Sequence, residues 1–144
     1  MMKELGAVDA TGGDRIPVRV YYEDTDLAGI VYYANYLRFI ERGRTEYVRA
    51  RGLDQAALKA RTGVVFAVRR VEADYLSPAR FDDLLEVVTR LVQLSGARIV
   101  MDQEVRRGAE TLFRARVTMA ALRPDGAPAR LSAEIRQQLA ADAG

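Results

Sequence analysis

The spacing of apolar residues along the chain changes twice. Between Ile16 and Glu23, Val18, Val20 and Tyr22 alternate with Arg19 and Tyr21, a two-residue period that predicts a first strand. From about Tyr33 the steps lengthen to three and four. Tyr33, Tyr36, Leu37, Ile40, Tyr47 and Val48 then share one side of a predicted helix, with Gly43 on the same face and Arg38, Glu41, Arg42, Thr45, Glu46 and Arg49 opposite. A glycine on a buried face costs helix propensity and suggests close packing against it. Counted from Val31 to Arg51 the helix would run roughly 20 residues, or about 30 Å, and Gly52 supplies a stop. Asp54 reads as the cap of a short second helix, QAALKA, ending by Gly63.

Beyond that point the period returns to two. Val64 to Leu76 predicts a long strand with a bend at the basic pair Arg69 and Arg70, closed by Pro78 and a turn at Phe81-Asp82-Asp83. Leu84–Leu94, Arg98–Arg106 and a last strand with Phe113, Ala115, Val117, Met119 and Ala121 on one face follow in hairpin succession. Pro124, Gly126 and Pro128 mark a loop, and Leu131, Ile135 and Leu139 share a face of a short C-terminal helix after Ser132. One strand, one long helix and about four antiparallel strands make an α+β layout in which the sheet is expected to wrap around the helix. One curved sheet on one helix also leaves an edge or face for a second subunit.

Chemistry concentrates where the first strand meets the long helix. The first N–H groups of a helix lack internal partners and carry partial positive charge, which suits a carbonyl oxygen gaining negative charge. Asp26 precedes that end by a few residues, and a carboxylate beside such donors can attack an acyl carbon or activate a water. Such an aspartate is also commonly a cap or Asx-turn residue, and either Asp24 or Asp26 could serve so.

The string YYEDTDLAGIVYYANYLRFIERGRTE, residues 21–46, resembles the signature of hotdog-fold acyl-CoA thioesterases of the 4-hydroxybenzoyl-CoA thioesterase type, closest to the bacterial Tol-Pal-associated (YbgC) branch. The resemblance continues more loosely to about Leu139. It implies a hotdog fold, with an antiparallel sheet around one central helix, and hydrolysis of an acyl thioester to a carboxylic acid and free CoA. By the same resemblance Asp26 matches the catalytic carboxylate. The backbone N–H of Tyr33, with the turn Gly29, Ile30 and Val31, matches the part that polarises the thioester carbonyl. Arg98 falls in the region that meets the nucleotide phosphates. The resemblance further implies a homodimer or homotetramer with sites at the subunit interface, and no metal or redox cofactor. Acyl carrier protein is an alternative carrier of the acyl group, and a non-catalytic acyl-CoA-binding or scaffold protein with the same fold is the alternative function. One departure stands out: many members of that branch have His where this chain has Tyr33.

Composition narrows these options. The 144 residues are 49% hydrophobic and 29% charged with a formal charge of +2, as expected of one domain (16–140) that is not a general nucleic-acid binder. The chain has no Cys and no His, which excludes a thiolate nucleophile, a Ser-His-Asp triad and the usual zinc constellations. Carboxylates remain as the main candidates for a general base near neutrality. A hotdog dehydratase, which relies on His, is disfavoured on the same ground. Residues 1–15 have no apolar core and are expected to form a disordered tail without a secretory signal. With no run near the roughly 18 apolar residues of a membrane span, a cytoplasmic location is expected. Glu41 and Glu46 read as salt-bridge residues on the polar face, Arg106, Arg107 and Arg116 as solvated strand residues, and the short second helix QAALKA as a border of the acyl pocket.

Overall fold

Alternating and β-branched runs predict strands, and the computed structural model, which describes residues 12–141, assembles five of them into one antiparallel sheet. The elements are β1 (Asp14–Arg19), a 3₁₀ turn (Tyr22–Asp24), α1 (Asn35–Ala50), α2 (Gln55–Thr62), β2 (Val65–Tyr75), β3 (Leu84–Ser95), β4 (Arg98–Arg107), β5 (Glu110–Leu122) and α3 (Ala133–Ala140). Their order across the sheet is β1-β3-β4-β5-β2, so β1 and β2 are the edges. This is the expected α+β hotdog arrangement, with α1 lying on β1, β3 and β4. Of the expected tail, residues 1–11 lie outside the described residues, while Asp14 and Arg15 belong to β1.

The ends of β2, β3 and β4 fall within a residue of those predicted, but the first strand, expected to reach Glu23, stops at Arg19 because Tyr22–Asp24 close a 3₁₀ turn, and β5 starts earlier than expected, at Glu110. The bend in β2 is a register shift between Val68 and Arg70, at the basic pair. Asp54 caps α2 by accepting from the Ala57 N–H at 3.0 Å, and Ser132 caps α3 by accepting from Ile135 at 3.1 Å.

The long helix departs from its prediction in length and in face. It starts at Asn35, because the Val31 N–H donates to the Ala79 carbonyl and residues 32–34 form a turn. Sixteen residues remain. Tyr33 and Leu37, expected on the buried side, are 63% and 40% exposed, and the buried positions are Asn35, Tyr36, Phe39, Ile40, Gly43, Arg44, Tyr47 and Val48. Full burial of an aromatic such as Phe39 is worth about 2 kcal/mol over exposure. Gly43 does sit against the sheet, facing Val87, Thr89 and Gln103. Gln103, wholly buried, donates to the Ile40 carbonyl (2.7 Å) and the Thr89 hydroxyl (2.8 Å) and accepts from Arg44 (3.0 Å). No polar atom of that amide is left unmatched.

The polar face of the sheet is less solvated than its pattern suggests. Asp102 and Glu104 are 2% and 1% exposed beneath arginines. Arg116 grips Asp102 with two bonds of 2.7 and 2.9 Å, and Arg107 bridges Asp83 and Glu110, so neither is a free surface cation. Glu46 pairs with Arg49, and Glu41 accepts from Thr45 at 3.2 Å. Among the described residues no helix is long and apolar enough to cross a membrane.

Candidate active site

The two aspartates of the DTD run have opposite environments. Asp24 is buried, and both its oxygens are engaged: one accepts from the Tyr21 N–H at 2.8 Å, the other from the Asn35 amide at 2.6 Å. Its carbonyl also accepts from Tyr32 at 2.8 Å, so Asp24 lashes the end of the first strand segment to the head of α1. Asp26 is exposed. One of its oxygens accepts from the Ala28 N–H at 2.9 Å in an Asx turn, and the other has no partner among the described residues.

Replacing Asp24 by Ala is expected to strand the Asn35 amide and the Tyr21 N–H, lowering stability by about 2 kcal/mol. The corresponding fall in melting temperature is roughly 4–8 °C. Thermal melts of Asp24→Ala against the parent check this.

The loop from Asp26 to Ile30 is closed at both ends. Asp26 N–H donates to Ile30 O and Gly29 N–H to Asp26 O, each at 3.0 Å, and Gly29 has φ +79°, the left-handed region that glycine enters without a Cβ penalty. The N–H groups of Gly29 and Val31 are therefore already committed to the chain's own carbonyls. Ile30 and Val31 contribute side chains instead. With Tyr33, Tyr36, Tyr75, Leu76, Ser77 and Pro78 they line a largely apolar cavity of about 340 Å³. That volume lies within the usual range for small-molecule sites.

The head of α1 borders this cavity. Asn35 N–H donates to Tyr32 O (2.8 Å) and Leu37 N–H to Ala34 O (3.2 Å), while the N–H groups of Tyr33, Ala34 and Tyr36 have no acceptor among the described residues. These are the free donors expected at a helix start. Tyr36 forms part of the cavity wall, its hydroxyl accepting from the Ala79 N–H at 2.9 Å and its ring stacked on Phe113 at 5.0 Å. Burial pushes the Tyr36 and Tyr75 hydroxyls up, which keeps both protonated near pH 7. The hydrogen bond to the Tyr33 hydroxyl raises that of Tyr32, and the nearby Asp26 charge adds a smaller push. The loop carrying Ala79 is fastened by Arg107, which donates to Asp83 at 2.8 Å and to Pro78 O at 3.3 Å.

Asp26, Tyr33, Ile30 and Val31 are thus gathered at one end of the sheet, but Arg98 is not. It lies exposed at the start of β4, seven residues from Val105, whose partner Phe113 stacks on Tyr36. That separation is about 23 Å along the strand. Nor does α2 border the cavity: it packs by the start of β2, at the same far end as Arg98. Residues that the sequence reading did not single out are Asn35, Ala79 and Tyr75. They join the site through contacts 11 to 43 positions apart, which no local spacing reveals.

An antiparallel sheet on one long helix is the hotdog arrangement, and here an acidic turn and free N–H donors lie at the same end as an apolar cavity. The family model of the thioesterase superfamily matches residues 28–113, and the chain belongs to that superfamily. It is 39% identical over 129 residues to the acyl-CoA thioester hydrolase YbgC of Escherichia coli, covering 85% of this chain and 96% of that one. It is 44% identical over 108 residues to the acyl-CoA thioesterase YbgC of Haemophilus influenzae, covering 75% and 79%. The crystal structure of a probable thioesterase from Bartonella henselae superposes with a TM-score of 0.81 at 38% identity, over 84% of this chain and all of the other.

Proposed function

We propose that the protein hydrolyses an acyl-CoA thioester to a carboxylic acid and free CoA, with Asp26 as the reacting carboxylate. The observation that carries this reading is the contrast within the DTD run. Asp24 has both oxygens engaged in a buried clamp, whereas Asp26 presents a free oxygen to solvent. The relatives named as acyl-CoA thioester hydrolases support the substrate class.

Two routes use the same residues. As a general base, Asp26 takes a proton from water while the water oxygen bonds to the thioester carbon. As a nucleophile, its oxygen bonds to that carbon, and water later cleaves the mixed anhydride. In both the C–S bond breaks, the thiolate leaves and takes up a proton, and the carbonyl oxygen carries negative charge in passing. The Tyr33 N–H at the head of α1 stabilises that charge, an effect worth about 3–4 kcal/mol per donor. The cavity receives the acyl group. Tyr33 supplies its backbone donor, so the exchange of His for Tyr leaves that part of the chemistry intact.

The catalytic unit on this reading is a homodimer. β2 is an edge strand of 11 residues with Val65, Val68 and Val71 exposed, a template for pairing with a second copy. Antiparallel pairing of two β2 strands about a two-fold axis sets the Val65 end of one beside the Tyr75 end of the other. Arg98 of the second copy then approaches the Asp26 end of the first, where it serves the CoA phosphates. Sedimentation is expected to give at least twice the 16.0 kDa of one chain, and a monomer at micromolar concentration would remove this part.

The Asx-turn bond from Ala28 to Asp26 favours the second reading, a non-catalytic acyl-CoA-binding protein. Turnover separates the two. Butyryl-, palmitoyl- and benzoyl-CoA are incubated with the protein and free thiol is followed with a thiol-reactive dye, to which a chain without Cys is silent. Release from at least one of them is expected; binding of all three without release would replace the enzyme with the binding module.

A further inference from the structure

Two successive peptide units precede α1, and each is held by its carbonyl. The Tyr32 carbonyl accepts from the Asn35 N–H at 2.8 Å, and the Tyr33 carbonyl accepts from the Tyr75 hydroxyl, also at 2.8 Å. A trans peptide is planar, with C=O and N–H pointing in opposite directions. Holding the Tyr32 carbonyl therefore aims the Tyr33 N–H, and holding the Tyr33 carbonyl aims the Ala34 N–H. Both N–H groups are free of acceptors among the described residues.

The second clamp is unlike the first, because it comes from outside the helix. The first helical bond leaves the Tyr33 carbonyl out: Leu37 donates to Ala34 O. Tyr75, 42 positions away at the end of β2, fills that role. Its ring is wedged edge-on between Tyr33, Tyr36 and Phe113, with centroids at 6.3, 5.5 and 4.9 Å, and it lines the cavity itself. These ring contacts place the phenol beside the carbonyl, although Tyr75 is half-exposed.

We infer that Tyr75 is a positioning residue, orienting the Tyr33–Ala34 peptide so that the Ala34 N–H acts as a second donor to the substrate carbonyl beside the Tyr33 N–H. This rests on the reading of the α1 head as the oxyanion site. A hydrogen bond accepted by the carbonyl also polarises the same peptide, making its N–H a stronger donor. Tyr75 itself touches no reacting atom.

The variant Tyr75→Phe keeps the wedged ring and removes only the hydroxyl. On whichever of butyryl-, palmitoyl- and benzoyl-CoA the parent turns over best, kcat is expected to fall about tenfold with KM within about twofold, because an interaction made mainly in the transition state is weakened. The melting temperature should stay near the parent's. In backbone NMR the Tyr33 carbonyl ¹³C and Ala34 amide ¹⁵N resonances should move, while Asp26→Asn leaves both in place. An unchanged kcat, or a rise in KM alone, would overturn the inference, since a residue that merely lines the pocket behaves that way. If the parent releases no CoA at all, the proposed function fails. The resonances then decide the clamp separately: unmoved signals in Tyr75→Phe overturn it too.

Discussion

Asp26→Asn is expected to lower kcat for acyl-CoA hydrolysis by about a hundredfold or more, with the melting temperature unchanged within about 2 °C. Both halves follow from the local geometry. Asparagine keeps a side-chain oxygen, so it can still accept the Ala28 N–H and hold the Asx turn. The residue is exposed, and its other oxygen supports nothing in the fold. What disappears is the negative charge that would take a proton or attack the acyl carbon. Asp24→Ala makes the informative contrast, because it should lower stability and activity together by loosening Asn35 and the head of α1. Steady-state rates paired with thermal melts on both variants separate a chemical role from a structural one. Equal loss of stability in the two variants would place Asp26 with Asp24 as part of the framework.

Gly43→Ala should destabilise the protein by about 2 kcal/mol, shifting the melting temperature down by roughly 4–8 °C. A methyl built on Gly43 would lie 2.7 Å from both Thr89 Oγ1 and Val87 Cγ1, and 3.0 Å from Gln103 Nε2. Two of these neighbours are β-branched and all three are buried, so none can swing aside without a rotamer change. Gln103 is further tied to Ile40 O, Thr89 and Arg44, and displacing it would break a fully matched buried amide. Alanine's better helix propensity, about 1 kcal/mol over glycine, offsets only part of this. Denaturant unfolding of Gly43→Ala tests the figure, and a variant as stable as the parent would mean that α1 can shift off β3 at little cost.

The sheet was legible because alternating or β-branched runs, cleanest in β5, are bounded by turn residues such as Pro78, and both are local properties. The capping residues Asp54 and Ser132 were legible for the same reason. The helix face was misjudged where tertiary contacts override period. Tyr33 and Leu37 fit the helical spacing, yet Tyr33 precedes the helix, which starts only at Asn35, and Leu37 stands in its first turn beside the buried stripe, so both are exposed. Arg44 lies on the buried side although its charge argues for the surface, and Gln103 on β4 is what accepts it there. Asp102 is covered by Arg90 and Arg116 from the neighbouring strands and Glu104 by Arg106 of its own strand, which alternation alone does not show. At the site, Asp24 and Asp26 are equivalent by position. In the fold, the Asn35 amide and the Tyr21 N–H held by Asp24 tell them apart. The Tyr75 clamp is less legible still, since it joins a strand end to the helix head across 42 positions.

The central claim is that this chain cleaves an acyl thioester with water, and one measurement addresses it directly. The protein is incubated in ¹⁸O-water with the acyl-CoA it turns over fastest, and free CoA and the carboxylic acid are quantified together by mass. The account predicts equal amounts of the two products, with solvent ¹⁸O in the acid and both lost in Asp26→Asn. Recovery of intact acyl-CoA from a stable complex, or product formation that persists at the parent rate in Asp26→Asn, would contradict it.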